Sequence, residues 1–487
     1  MVPQAADIAR ILPEILWCGF GVFLMLLQPV VKNRQVLTLF AMVGAALGTL
    51  STFYGQPGSG FFGLIQFDTY SQFFHWLVGL VAFLVILAAD SYLERENLEA
   101  AEFYALILFA TAGMGVLASA QELLTAFIGL EMSSIASYVL AGYRRDSVKS
   151  SESAVKYFLL GSFATAFFLY GIALVYGASG STNLMQIASA DSGSSLLRLG
   201  LTLILVGLGF KVAAAPFQVW TPDVYEGAPT PVTALFAAGP KAATFALLLR
   251  IFTTIHAATD FWFWAFWILA AVTMFVGNLG AVVQTNVKRM LAYSSIAHAG
   301  YTLVAFAAVT TMKLDPETGA APAYAAVLFY LLGYSLVKVG AFTIVSEIGG
   351  QGERYLTLDD FAGLGTRQPY AAAAMSLFLL SLLGLPITAG FFGKLYVFNV
   401  AVSSKLIWLA VLMAVNSVIG TYYYLRVIVV MYMHERKGDA PANAATSLSP
   451  TSAMVVVVAA LATLYLGLLP NHVLGIVLSQ NLILSSR

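Results

Sequence analysis

Apolar runs long enough to cross a bilayer recur from one end of the chain to the other. They restrict the fold more than any other feature. A spanning helix takes about 20 predominantly apolar residues. Runs of that order lie near residues 11–31, 35–54, 70–90, 103–120, 122–142, 153–177, 195–217, 231–255, 260–284, 291–311, 323–348, 370–400, 405–433 and 451–479. Of the 487 residues 60% are apolar and 10% charged, whereas soluble chains are about 45–50% apolar and about 25% charged. The same figures exclude disorder, which needs low hydrophobicity and high charge. The sequence therefore predicts an all-α polytopic membrane protein of about 14 transmembrane helices. Its first apolar run is read as a span and not as a cleaved leader.

Charge and cysteine usage narrow the function. The 24 basic and 24 acidic residues balance, so no global field favours nucleic acid. With Cys18 alone there is no internal disulfide, thiolate-ligated cluster or CxxC pair, and the five histidines form neither HExxH nor CxxCH. Any electron transfer is expected in another subunit, with no metal or cofactor here.

Loop charges predict the orientation. Connections after odd-numbered spans hold Lys32, Arg34, Arg95, Arg144, Arg145, Lys149, Lys288, Arg289, Arg354, Arg367, Arg436 and Lys437; the other side holds Arg10, Arg198, Lys313, Lys405 and Arg487. Both termini are thus expected outside, in the periplasm of a bacterium. Seven basic residues remain inside spans: Lys156, Lys211, Lys241, Arg250, Lys338, Lys394 and Arg426. The two arginines are read as snorkelling to an interface.

An internal repeat organises the lysines. Spans four to eight and nine to thirteen are two runs of five, and an odd count inverts the second relative to the first. The division reads as a three-helix segment (1–102), a first repeat (103–255), an inverted second repeat (260–433) and a terminal loop and helix (434–487). The fourth span of each run is interrupted: GLGFKVAAAPF holds Lys211 and Pro216, and LLGLPITAGFFGKLYVF holds Pro386 and Lys394. The third spans carry Lys156 and Lys338, and the second carry Glu131 and His298. Broken helices paired across an inverted repeat point to an ion path near the midplane.

An ionisable residue at a helix centre costs roughly 2.5–3.5 kcal/mol on insertion scales, so such residues mark function. One carboxylate cannot neutralise five ammonium groups. Some of the lysines are therefore expected to be neutral part of the time, since burial disfavours the charged form and a nearby carboxylate restores it. Two unit charges roughly 8 Å apart interact by about 2 kcal/mol at an effective dielectric of about 20. That suffices to load or release a proton as Glu131 moves relative to Lys211. Pro216, Pro386 and Pro240 remove the helix bonds to the carbonyls of Val212, Leu382 and Phe236, which water or a lysine ammonium can take up. Ser133, Ser134, Ser137, Ser294 and Ser295 are placed to hold water, and His298 to bridge the repeats.

Three features carry ordinary readings. Asp223 and Glu226 in TPDVYEGAPTP (221–231) are expected to be solvated turn charges, and WFWAFW (262–267) an interfacial belt. DSYLERENLEAAE (90–102) is expected to be a solvated connection.

Three longer segments carry a resemblance. NVKRMLAYSSIAHAGYTLV, PFQVWTPDVYEGAPTPVTALFAAGPKAATFALLLR and GLPITAGFFGKLYVF resemble the subunit N family of respiratory complex I, the counterpart of mitochondrial NADH dehydrogenase subunit 2. The resemblance runs from about residue 100 to 430. It implies an antiporter-like, proton-translocating subunit in the membrane arm of a NADH:quinone oxidoreductase, with FMN, iron–sulfur clusters and quinone in partner subunits. By the same resemblance Glu131 is the fifth-span glutamate, Lys211 the lysine beside it, Lys241 the connecting lysine, Lys394 the exit-side lysine and Lys156 a frequent sixth-span lysine. Gln218 departs from it, standing where the family commonly has His. Lys338 departs too, since subunit N often lacks a lysine on that span; it is read as an extra relay group. The alternatives are a subunit of a multisubunit cation/proton antiporter, and a non-pumping membrane scaffold.

Overall fold

The computed structural model describes residues 4–190, 193–255, 259–310, 321–435 and 448–479; Lys313, Arg436, Lys437 and Arg487 of the orientation argument fall outside them. Among the described residues, twelve helices are long and apolar enough to cross a membrane. The shorter helix Leu12–Leu27 and the two halves of a broken one bring the spans to the fourteen read from sequence. In chain order they are α1 (Leu12–Leu27), α2 (Arg34–Ser51), α3 (Thr69–Glu96), α4 (Ala100–Ser119), α5 (Leu123–Ala141), α6 (Val148–Ser179), α7 (Ser195–Val212), α8 (Thr221–Gly227) and α9 (Thr230–Thr254). The second half comprises α10 (Thr259–Val282), α11 (Val287–Val309), α12 (Ala321–Gly349), α13 (Pro369–Leu383), α14 (Ala389–Ser403), α15 (Ile407–Met433) and α16 (Pro450–Leu468). One non-helical element was not anticipated: an antiparallel ribbon pairs Gly58–Gly60 with Ile65–Phe67 between α2 and α3.

The two five-span runs pack alike. In each, the first two helices lie together (α4 with α5, α10 with α11), the broken fourth span lies along the third, and the fifth closes back on the first. The two central helices of the molecule, α9 and α12, pack against each other and are buried nearly throughout. In a bilayer such all-round burial means protein, not lipid, on every side.

Both breaks are satisfied by named groups. α7 ends as Ala213 turns left-handed (φ 61°), with Ala214 N–H donating back to Gly209. The freed N–H of Ala215 donates to Thr273 on α10, and the indole of Trp220 to the carbonyl of Phe210. α13 ends at Gly384 (φ 98°), and there the Lys394 ammonium donates to the carbonyl of Leu383 at 2.9 Å. A lysine thus takes up an orphan carbonyl as expected, one residue beyond the predicted Leu382. Beyond this break Gly390 approaches so closely that an added Cβ would sit 1.8 Å from the Ser381 carbonyl.

The connections after odd-numbered spans interlock on one face. Arg34 pairs with Asp90, Arg144 with Glu96, Lys149 with Glu226, Arg289 with Asp223 and Lys288 with Glu353. Ser449 and Ser452 donate to Glu347. All seven such connections meet in this girdle, which is possible only if the span count between them is right. The side-chain contacts also correct three expectations. Residues 221–227 form α8, and Asp223 and Glu226 are ion-paired instead of merely solvated. α3 runs on to Glu96, whose side chain is nearly buried between Arg144 and the N–H of Gly352. Arg250 does not snorkel: its side chain is 0% exposed and forks onto Asp68 at 3.0 and 3.1 Å. Arg426 lies about two turns before the end of α15 and donates to the carbonyl of Gln284. The aromatic belt is half packing, with Trp262 and Phe266 turned inward onto Phe252 and Trp264 outward.

Two predictions follow from these contacts. Arg250→Ala leaves the Asp68 charge without its partner and should destabilise the fold by about 3–5 kcal/mol, read as a lowered melting temperature in detergent; an unchanged melt contradicts the assignment. Burial works against the Glu353 carboxylate, but Lys288 and two hydrogen bonds from Thr230 outweigh it and hold its pKa below the ordinary value of 4.5. Its stabilisation is therefore present above that value and lost as pH falls through the lower folded one. Acid melts of Glu353→Gln should converge with wild type as pH falls through the lowered folded value and differ at neutral pH.

Candidate functional site

Helix α11 is the hub. On one face, at successive turns, it presents the carbonyl of Leu291, Ser294, Ser295, His298 and Tyr301, and three lysines from three other helices converge on it. Lys241 of α9 donates to the Ser295 carbonyl at 2.8 Å and its hydroxyl at 2.6 Å. Lys338 of α12 donates to the Leu291 carbonyl at 2.9 Å and Ser294 at 3.0 Å. Lys394 of α14 stands over the Tyr301 ring at 4.9 Å. Lys338 is 0% and Lys241 2% exposed. None of the three has a carboxylate within ion-pair distance among the described residues, and Lys241 and Lys338 lie close enough to repel directly.

Tyrosines stitch these groups together. Tyr334 donates to Ser295 at 2.7 Å, and the Tyr424 hydroxyl bonds both Ser294 and Nε2 of His298. The Tyr330 hydroxyl lies 2.6 Å from Nδ1 of His298. Each ring nitrogen thus faces a hydroxyl that can give or take a proton, so either neutral tautomer is satisfied. Lys338–Ser294–Tyr424–His298–Tyr330 is one unbroken hydrogen-bonded line. Beyond it a cavity of about 10 Å³ lies between His298, Tyr330, Tyr334 and the break of span twelve at Ser381, Ala389 and Gly390. That is about room for one water.

Glu131 and Lys211 form a separate cluster in the first repeat. Thr165 donates to Glu131 at 2.9 Å, and Lys211 donates to the Tyr138 hydroxyl at 3.2 Å. Thr165 and Ser134 also interact with that hydroxyl. The two charged groups are not in ion-pair contact; Thr165 and Tyr138 stand between them. The Lys211 ammonium is capped by the rings of Tyr138, Tyr157 and Phe210 at 5.0 to 5.7 Å, and no hydrogen bond joins it to the α11 network. Ser134 and Ser137 are turned to their own helix, donating to the carbonyls of Leu130 and Ser133.

Lys156 is placed apart from the other lysines. It lies near the start of α6 with its side chain 39% exposed, paired with Asp223 at 2.6 Å and Glu152 at 2.7 Å. Together with Lys149, Glu226 and Arg289 these residues line a cavity of about 120 Å³ on the girdle face. A second cavity of about 160 Å³, lined by Arg144, Glu353 and Arg354 among others, shares Lys149 and Glu226 with it. Gln218 follows the break of span seven, and its amide oxygen is buried without a hydrogen-bond partner.

The hydroxyls were the residues missed from sequence. Their spacing carried the signal: Tyr330, Tyr334 and Lys338 recur every four residues on one face of α12, and Tyr138 lies seven residues, about two turns, beyond Glu131.

The geometry invites comparison with known proteins. The family described as NADH:quinone oxidoreductase/Mrp antiporter, transmembrane, matches residues 120–420, the part of the chain that carries both clusters. NADH-quinone oxidoreductase subunit N 1 of Solibacter usitatus is 49% identical over 96% of each chain. The chain belongs to the NADH-quinone oxidoreductase subunit N family. Subunit N 2 of Koribacter versatilis is 46% identical over 97% of this chain and 96% of its own. A subunit in respiratory complex I from Thermus thermophilus is 38% identical, with a TM-score of 0.79 over 95% of this chain and 98% of that one. A chain of the Mrp complex from Dietzia sp. shares the fold at 20% identity, with a TM-score of 0.83 over 99% and 98% of the two chains. The subunit N fold is thus one that the Mrp complex uses too.

Tyr424→Phe severs both hydrogen bonds that join Ser294 to His298. It should lower coupled turnover about tenfold, equivalent to about 1.4 kcal/mol, in fully assembled complex; full activity would show that the line is not used.

Proposed function

We propose that the chain is a proton-translocating membrane-arm subunit of a bacterial NADH:quinone oxidoreductase. It relays protons through buried Glu, Lys, His and Tyr groups while quinone is reduced elsewhere in the complex. The observation that carries this reading is the convergence of Lys241, Lys338 and Lys394 on α11, with no carboxylate within ion-pair distance among the described residues, and the hydrogen-bonded line that joins Lys338 to His298. An ion taken out of water costs several kcal/mol unless a counter-ion is supplied. Amines held only by neutral carbonyls and hydroxyls are therefore suited to passing a proton on, not to anchoring helices.

Protons are received at the girdle-face cavity around Lys156 and Asp223 and loaded on Lys211, whose affinity follows the position of Glu131. They then cross to Lys241, pass along α11 through Lys338 and His298, and leave by Lys394. The crossing from Lys211 to Lys241 is the controlled step, since aromatic rings stand there in place of hydrogen bonds. The girdle is rich in basic residues and is placed in the cytoplasm, with both termini in the periplasm and the chain in the inner membrane. FMN, iron–sulfur clusters and the quinone site are assigned to partner subunits; this chain has no redox centre of its own. Copurification with flavin and iron–sulfur subunits distinguishes this role from that of a cation/proton antiporter subunit.

Lys211→Ala should lower quinone-linked turnover and proton pumping together, because a blocked relay stalls a coupled machine. Normal rates in assembled complex would defeat the proposal. Lys338→Met, which cuts the α11 line, should lower both rates less than Lys211→Ala and more than Lys156→Met, which alters only an ion-paired group at the mouth.

A further inference from the structure

A second buried ionisable pair lies outside the matched segment, among the first spans. Glu14, in the first turn of α1, is 7% exposed, and His75, in the second turn of α3, is 0% exposed. Nε2 of His75 is 2.7 Å from Oε1 of Glu14, and Nδ1 is 2.6 Å from the Ser71 carbonyl. Trp17 stacks on the imidazole and Phe67 tilts against it. Gly115 of α4 closes the site: a Cβ there would meet Oε1 at 2.7 Å and Nε2 at 3.1 Å. Glycine is thus required for the pair to fit.

The hydrogen bonds count the protons. The Ser71 carbonyl can only accept, so Nδ1 carries a hydrogen. Nε2 and Oε1 at 2.7 Å require one more proton between them, because a neutral imidazole nitrogen and a carboxylate oxygen would otherwise face each other as two acceptors. The other oxygen decides which side holds it. Glu14 Oε2 is buried with no hydrogen-bond partner. A carboxylate would leave charge on that bare oxygen, whereas a carboxylic acid leaves only a carbonyl. We infer that Glu14 and His75 form a proton-binding site separate from the lysine line, with Glu14 as a carboxylic acid donating from Oε1 to neutral His75.

The charged and titratable groups around it are few. On α1 there is Cys18, one turn on; at the start of α3 there is Asp68, already engaged by Arg250 of α9; α4 presents Gly115. None offers Glu14 a second cation. The site lies near the face opposite the girdle, where α3 begins.

Infrared spectroscopy of the purified whole complex at neutral pH, with ¹³C-labelled glutamate, tests this. The inference expects a protonated-carboxyl C=O band that is present in wild type, absent in Glu14→Gln, and shifted in frequency in His75→Gln as its acceptor changes. Quinone reduction by each variant certifies assembly. If neutral wild type shows no carboxyl band sensitive to Glu14→Gln, Glu14 is a carboxylate in a fixed ion pair and the inference fails. A band that persists unshifted in His75→Gln likewise overturns it. Either failure would leave the lysine relay untouched, since that is read from pumping by Lys211→Ala.

Discussion

The absence, among the described residues, of a counter-ion for the amines that converge on α11 is the constraint on which the rest of the structure depends. A buried ammonium without a carboxylate must be surrounded by dipoles, and a membrane span has few to spare because its backbone bonds to itself. The chain supplies them in two ways. It breaks spans, so that the Leu383 carbonyl is available to Lys394, and it lines one helix with hydroxyls, so that Ser294 and Ser295 serve Lys338 and Lys241. Both solutions need rigid surroundings. α9 and α12 are accordingly buried on all sides, and Gly390 lets the second half of span twelve press against Ser381.

Carboxylates have been kept out of that interior and collected at the girdle. There most ion pairs are partly solvated, the buried Lys288–Glu353 pair excepted, and together they tie the ends of all odd-numbered connections into one frame. The division of labour is physical. Paired charges hold geometry, while unpaired amines remain free to change state. Lys156 belongs to the first class by its partners Asp223 and Glu152, although sequence placed it with the second.

Much of this was legible in advance. Span number, the position of both breaks and the identity of the buried lysines follow from hydropathy and proline placement, since the bilayer leaves few alternatives. The short helix at 221–227 was not legible, because Pro222 and Gly227 also spell a turn and only contacts with α6 and α11 settle the matter. Arg250 misled for a related reason: its position near a helix end suits snorkelling, and its partner Asp68 lies 182 residues away. Pairwise tertiary contacts of that kind have no local signature. The isolation of Lys211 from the hydrogen-bonded groups of α11, its ammonium capped by the rings of Tyr157 and Phe210, was equally hidden, since aromatic residues in a span ordinarily read as packing.

That isolation makes hydration the decisive variable. Hydrogen-bonded side chains alone join Lys338 to His298, whereas in the proposed relay the crossing between the repeats needs water that turnover must admit. The most direct test is high-resolution cryo-electron microscopy of the intact complex trapped during quinone reduction, examined for ordered water between the Lys211 and Lys241 ammonium groups. The account predicts a continuous file of waters there in at least one turnover state. Continuous ring packing between the two lysines in every state would contradict it.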